Sequence, residues 1–323
     1  MVAGHQVAPI QYPANLNNYK GEPRQIGIEL EFAGLELDTI ATLIMQKFGG
    51  YKRALNPYHW YIEDTTLGRF SVEIDAQLLK EMVIQGYLEN LGITQAEDVK
   101  FRGAVDKILK EAAESVVPYE VCTPPVPLTT IPQIEELKND LREAGAKGTE
   151  DSIFYAFGLQ LNPEVPSLEV QDLLSYFRAF LIAYPWLKYK MEIDFTRQLT
   201  PYINSFSKRY IRKVLDPAYQ PSMAAFIDDY LYFNPTRNRA LDLLPLFAFI
   251  DEERVHTAVD STLIKARPTF HYRLPNSMVS LKSWRIITEW NYWMQVENLA
   301  NDTESLKSLS KAYLTYLNEP FAT

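Results

Sequence analysis

The stretch IGIELEF, residues 26 to 32, constrains the fold more than any other part of the chain. Ile26, Ile28, Leu30 and Phe32 alternate with Gly27, Glu29 and Glu31. Alternation with a period of two is a strand signal, and alternate side chains of a strand share a face. The two glutamates therefore point one way and the apolar residues the other. Two carboxylates so close repel unless water or a cation lies between them. The apolar face must pack against helices.

The same rule divides the other candidate strands. In FSVEIDA, Ser71, Glu73 and Asp75 oppose Val72 and Ile74; in YEVCT, Glu120 and Cys122 share a side. In FGLQLN, Gly158, Gln160 and Asn162 oppose Leu159 and Leu161, and in TFHYRL, His271 and Arg273 oppose Phe270, Tyr272 and Leu274. Each strand taken alone reads as the solvated side of an antiparallel sheet. The residue types shift the balance: the early strands offer carboxylates and amides without a lysine, and the late one an arginine. Carboxylate and amide oxygens ligate Mg²⁺, and the guanidinium fork suits phosphate. With no GxxxxGK[ST] and no GxGxxG in the chain, the pattern points to a nucleoside triphosphate site without a P-loop.

Helical segments separate these strands. DTIATLIMQKFGG has Asp38 as an expected N-cap and Gly49 past the end. HWYIED and RFSVEIDAQLL flank TTLG as a hairpin, and residues 77 to 116 are expected to be largely helical. TTIPQIEELKNDLREAG carries Pro132 in its first turn and Gly145 at its end, and SLEVQDLLSYFRAFLIAYPWL shows apolar residues at helical spacing from Val170 to Tyr184. The C-terminal part reads as one or two helices. A single domain over 25–323, behind an extended lead-in over 1–24, is the simplest account.

Composition excludes other classes. Cys122 is the only cysteine of 323 residues, so there is no intramolecular disulfide and no cysteine-ligated cluster within one chain. Four histidines argue against a histidine-rich zinc site, and a net charge of −9 against a general nucleic-acid binder. No window approaches a membrane span and no signal peptide is visible, so a cytoplasmic protein is expected.

In order, GIELEF, SVEID after a helix, YEVCTPPVPL, FGLQLN with a long helix behind it, and FHYRLPNS before a terminal helix resemble the putative amidoligase family. That family belongs to the carboxylate–amine ligase group and is similar in fold to glutamate–cysteine ligase and glutamine synthetase. The resemblance covers roughly residues 25 to 300, in short motifs. Glu29 and Glu31 match the family's paired-glutamate strand, and Glu120, Thr123, Pro124 and Pro125 its E-[IV]-x-[ST]-P-P element. Gln160 and Asn162 take the places of two histidines, Arg273 matches a late arginine, and His271 stands where the family has glutamate.

The resemblance implies an α+β fold: an antiparallel curved sheet, a glutamine synthetase-like catalytic funnel, packed by helices on one face. It implies ATP- and Mg²⁺-dependent joining of a small-molecule or peptide carboxylate to an amine through an acyl phosphate, with no nucleic acid or membrane involved. Faces and resemblance together give the expected site: Glu29, Glu31, Glu73, Glu120 and Asn162 for metal; Arg273, Gln160 and Asp64 for the nucleotide; Arg273 and Arg237 for catalysis. The alternatives are a catalytically degenerate binding module of the same fold, or a metal-dependent phosphohydrolase. Arg237 reads equally as a surface arginine near a helix cap, and Asp64 as a plain turn residue. His59 and His256 lack ligand spacing, the basic cluster Lys208, Arg209, Arg212 and Lys213 reads as a solvated helix face, and Glu192 and Asp194 lie among lysines.

Overall fold

The computed structural model describes residues 8–74, 118–151, 157–191, 193, 203–259 and 263–318. IGIELEF lies at its centre as strand β1, Gln25–Phe32, half-buried and buried residues alternating along its whole length. The remaining strands are β2 (Tyr51–Asn56), β3 (His59–Thr65), β4 (Gly68–Ile74), β5 (Tyr119–Cys122), β6 (Val126–Pro127), β7 (Leu159–Pro163), β8 (Leu241–Asp242) and β9 (His271–Tyr272). They form one open antiparallel sheet in the order β2-β3-β4-β5-β1-β7-β9-β8, with β6 also on β1.

Nine α-helices occur among the described residues, which makes the class α+β. They are α1 (Leu37–Phe48), α2 (Ile131–Glu143), α3 (Val170–Lys190), α4 (Lys208–Leu215), α5 (Met223–Phe233), α6 (Leu244–Ile250), α7 (Glu252–Ala258), α8 (Ile286–Asn301) and α9 (Thr303–Leu317). The apolar sheet residues Ile26, Ile28, Leu30, Phe32, Ile62, Phe70 and Val72 join buried residues of α1, α2, α3 and α8 in one core. Among the described residues no helix is long and apolar enough to cross a membrane.

Several local expectations change. Helix α1 starts two residues early, with Glu36 at its cap position making no side-chain cap; Asp38 sits in the first turn and pairs with Lys52. An acid there still faces the positive end of the helix dipole. Gly49 does end α1, at φ 74°, its N–H donating to Met45 O at 2.8 Å. Strand β2 has no readable alternation because all six of its residues are exposed. Strand β7, expected to have a polar and an apolar side, is buried at all five positions. The basic cluster lies on α4, whose Lys208, Arg209 and Lys213 are exposed while Tyr210, Ile211, Val214 and Leu215 are buried. The helical expectation for 77–116, and the positions of Asp75, Glu192 and Asp194, lie outside the described residues.

The lead-in is tied down by α8: Gln11 N–H donates to Asn291 Oδ1 at 2.9 Å, and Trp290 Nε1 donates to Gln11 O at 2.8 Å. Arg24, just before β1, is fully buried and makes a two-pronged pair with Glu297 of α8, at 2.9 and 2.7 Å. Trp293 Nε1 and Tyr176 OH donate to the same carboxylate at 2.9 and 3.2 Å. One charged cluster thus fastens the entry of β1 to α8 and α3. Elsewhere on α8, buried Glu289 accepts from Trp284 Nε1 at 3.0 Å, and burial pushes its carboxyl up to about 8.

Candidate functional site

Sheet register assembles the polar residues into rows across one face. Cα partners run Tyr61–Ser71–Cys122–Glu29–Gln160 across β3, β4, β5, β1 and β7, and beside them His59–Glu73–Glu120–Glu31. Immediately after β9, Arg273 extends the first row through Nη1, which donates to Gln160 Oε1. The alternation of each strand fixes which face a residue takes, and antiparallel pairing then sets the neighbours.

At the middle of the face, ligand atoms of Glu29, Glu120 and Cys122 all lie within 4.8 Å of one another. Burial pushes the Cys122 thiol well up, and Glu120, Glu29 and Glu73 push it further, so it stays protonated at neutral pH. A protonated thiol is a poor metal ligand, whereas two carboxylates at this spacing suit a hard divalent cation.

Towards β8 and β9 the face is buried and built of directed hydrogen bonds. Arg273 also donates through Nη2 to Asp242 Oδ2 at 3.3 Å; Asp242 is fully buried, and burial pushes its carboxyl up against the opposing pull of Arg273. Gln160 Nε2 donates to Asn162 Oδ1 at 2.8 Å and lies 3.0 Å from His271 Nδ1, and Asn162 Nδ2 donates to Glu29 Oε1 at 2.7 Å. Burial, with Arg273, Arg267 and Arg237 nearby, drives the His271 imidazole well below its usual range.

Arg237, on the loop after α5, completes this end. Its Nε has no hydrogen-bond partner, and its guanidinium makes no ion pair among the described residues. Burial and then the neighbouring Arg273 lower it, against the pull of Asp242, Glu29 and Glu120. The cap expected beside it is a different device: buried Asn234 ends α5 and accepts from Arg239 Nε at 2.9 Å, leaving Arg237 turned to the site. A half-buried guanidinium beside a second one is a ready anion subsite.

The expected residues are therefore not one cluster. Glu29 and Glu120 converge. Glu31 faces the same way but accepts the Gly158 N–H at 2.7 Å. The Glu73 carboxylate stands 3.4 Å from His59 Nδ1, and His59 Nε2 is 2.7 Å from Ser71 Oγ. Asn162 and Gln160 adjoin Glu29 without pointing a free oxygen at it. Asp64 is an exposed residue near the end of β3, at φ 55° where the β3–β4 pairing shifts register, away from the rows. Sequence reasoning missed His59 and Asp242. The hairpin register would have placed His59 opposite Glu73, and a lone aspartate in the apolar run ALDLLPL is the signal for Asp242.

Compared with known families, residues 22–295 match a family model described as "putative amidoligase enzyme". Neither curated proteins nor solved structures give a match.

Proposed function

Because the chain belongs to this putative amidoligase family of ligase-type enzymes, we propose that it joins a carboxylate to an amine, using ATP and Mg²⁺ and passing through an acyl phosphate. The observation that carries the reading is the convergence of two carboxylates on one sheet face beside a loop guanidinium, Arg237, that makes no ion pair among the described residues yet feels the charges of Glu29 and Glu120. Glu29 and Glu120, whose carboxylates converge, would hold Mg²⁺, with Glu31 and Glu73 at the margins of the cluster. Bound Mg²⁺ shields the like charges of ATP and the substrate carboxylate and stabilises phosphoryl transfer.

Arg237 and Arg273 bind phosphate oxygens and remain as fixed positive charge when charge moves onto them. Gln160 and Asp242 hold Arg273 in place for this. On this reading the acidic face is one wall of a glutamine synthetase-like funnel, with the phosphates at the β8–β9 end. Asp64 has no part in it.

The test is phosphate release from Mg-ATP across a panel of amino acids, diamines and peptides. The expected result is release only when an acid and an amine are both present, abolished by Glu29→Gln. Release without an acceptor would identify a phosphohydrolase, and a thermal shift with Mg-ATP but no turnover a binding module. Absence of any shift at millimolar Mg-ATP would remove the reading altogether.

A further inference from the structure

The strand that carries two histidines in the family carries Gln160 and Asn162 here, and their hydrogen bonds run in one direction. A guanidinium only donates, so Arg273 fixes the Gln160 amide with its oxygen towards Nη1. The Gln160 NH₂ must then face the other way, where it donates to Asn162 Oδ1 at 2.8 Å and to His271 Nδ1 at 3.0 Å. Because an NH₂ only donates, this contact makes Nδ1 the acceptor and puts the single proton of the buried ring on Nε2. With its oxygen taken, Asn162 presents its NH₂ to Glu29 Oε1 at 2.7 Å.

Both amides are buried, at 7% and 2% exposure, so water does not compete for these bonds. Each amide oxygen that a metal would need is already accepting a hydrogen bond. Arg273 itself is braced from its far side by the fully buried Asp242.

We propose that Gln160 and Asn162 are positioning residues that aim the Glu29 carboxylate from the fixed point of Arg273, and that neither one ligates the metal. This rests on the reading of Glu29 as a metal ligand. The oxygen of Glu29 that accepts from Asn162 is held, which leaves the other oxygen and the carboxylate plane directed at the cluster with Glu120. The phosphate-binding arginine and the metal-binding glutamate are thereby set in one frame, so the two subsites keep a constant spacing.

Mn²⁺ binding, counted as free Mn²⁺ by electron paramagnetic resonance, tests this without requiring turnover. The variants are Asn162→Ala, Asn162→Asp, Asn162→Ser and Gln160→Glu, each checked for folding by circular dichroism and thermal melting. Loss of a residue that orients a metal ligand costs about 10–100-fold in metal affinity. All four variants are expected to weaken Mn²⁺ by that order, and the effect of Asn162→Ala should vanish in a Glu29→Gln background.

The carboxylate variants make the sign decisive. If Asn162 or Gln160 were a ligand, Asn162→Asp or Gln160→Glu would add a charged oxygen and tighten Mn²⁺. Tightening, unchanged affinity in the folded variants, or an Asn162→Ala effect that persists without Glu29 would each overturn the proposal. A wild-type protein that binds no Mn²⁺ defeats the metal site and this proposal together. Mn²⁺ binding with the expected losses, but no phosphate release with any substrate, defeats the ligase reading and leaves the positioning role standing.

Discussion

Glu289→Gln should change how the protein's stability depends on pH, and the structure sets both sign and size. Glu289 is buried on α8 and accepts from Trp284 Nε1; burial raises its carboxyl from 4.5 to about 8. In the unfolded chain the group ionises near 4.5, in the folded chain near 8. Between those values the folded state holds one proton more, so stability falls as pH rises, by about 1.4 kcal/mol per pH unit. Over the whole window the loss is on the order of 5 kcal/mol, full stability being present below about pH 4.5 and the loss complete above about pH 8.

Urea unfolding of wild type and Glu289→Gln at intervals from pH 5 to pH 9 reads this directly. Other groups titrate in the same range; His271, driven down by burial and neighbouring arginines, works in the opposite direction below its unfolded value. The difference between the two proteins cancels those groups. Near pH 5 the variant should be no more stable than wild type, and by pH 8 it should be the more stable by several kcal/mol. Parallel curves would refute the argument, because a carboxyl that ionises alike in both states contributes no pH dependence.

Further outcomes follow from single contacts. Arg24→Met leaves Glu297 buried without its partner and should cost about 3–5 kcal/mol, whereas Arg24→Met with Glu297→Met should recover most of that, as measured by chemical denaturation. Arg237→Ala should weaken ATP binding in calorimetry while leaving the melting temperature unchanged or higher, since it removes a half-buried cation that lacks an acid partner among the described residues. Gly50→Ala should destabilise by about 1–3 kcal/mol or more: the residue sits at φ 89° and a Cβ there would lie 2.3 Å from Glu63 O.

Much of this was legible in the chain, for a physical reason. Alternation in IGIELEF, SVEI and YEVC fixes which side chains share a face, and that is how Glu29, Glu31, Glu73 and Glu120 were put on one side without a structure. It does not say what lies across the strand. Glu31 is drawn to the Gly158 amide and Glu73 to His59 by register, which depends on pairings the local pattern does not encode. The same limit applies to β7: its alternation predicts a wet side, but it is buried at every position, and Gln160 is bonded by His271 and Arg273 from about a hundred residues on. Helices were read from apolar spacing, which is local, so α2 and α3 lie where expected. Asp38 does not cap α1: it lies in the first turn and pairs with Lys52 of β2, an exposed strand with no pattern to read.

The central place of β1 also governs how the protein reaches its folded state. One flank is closed by Thr123, which accepts the Ile28 N–H from 95 residues away, and the other by Asn162, bonded to Glu29 across 133 residues. Contacts so distant in sequence require large loops to close before they repay the entropy, which makes folding slow and places this event near its end. Glu29 gains its partners only when both flanks have docked; if it holds Mg²⁺ as proposed, cation binding should arise in refolding together with the last cooperative step. A chain with native-like helices but an undocked β1 would bury hydrophobic surface and still bind no cation.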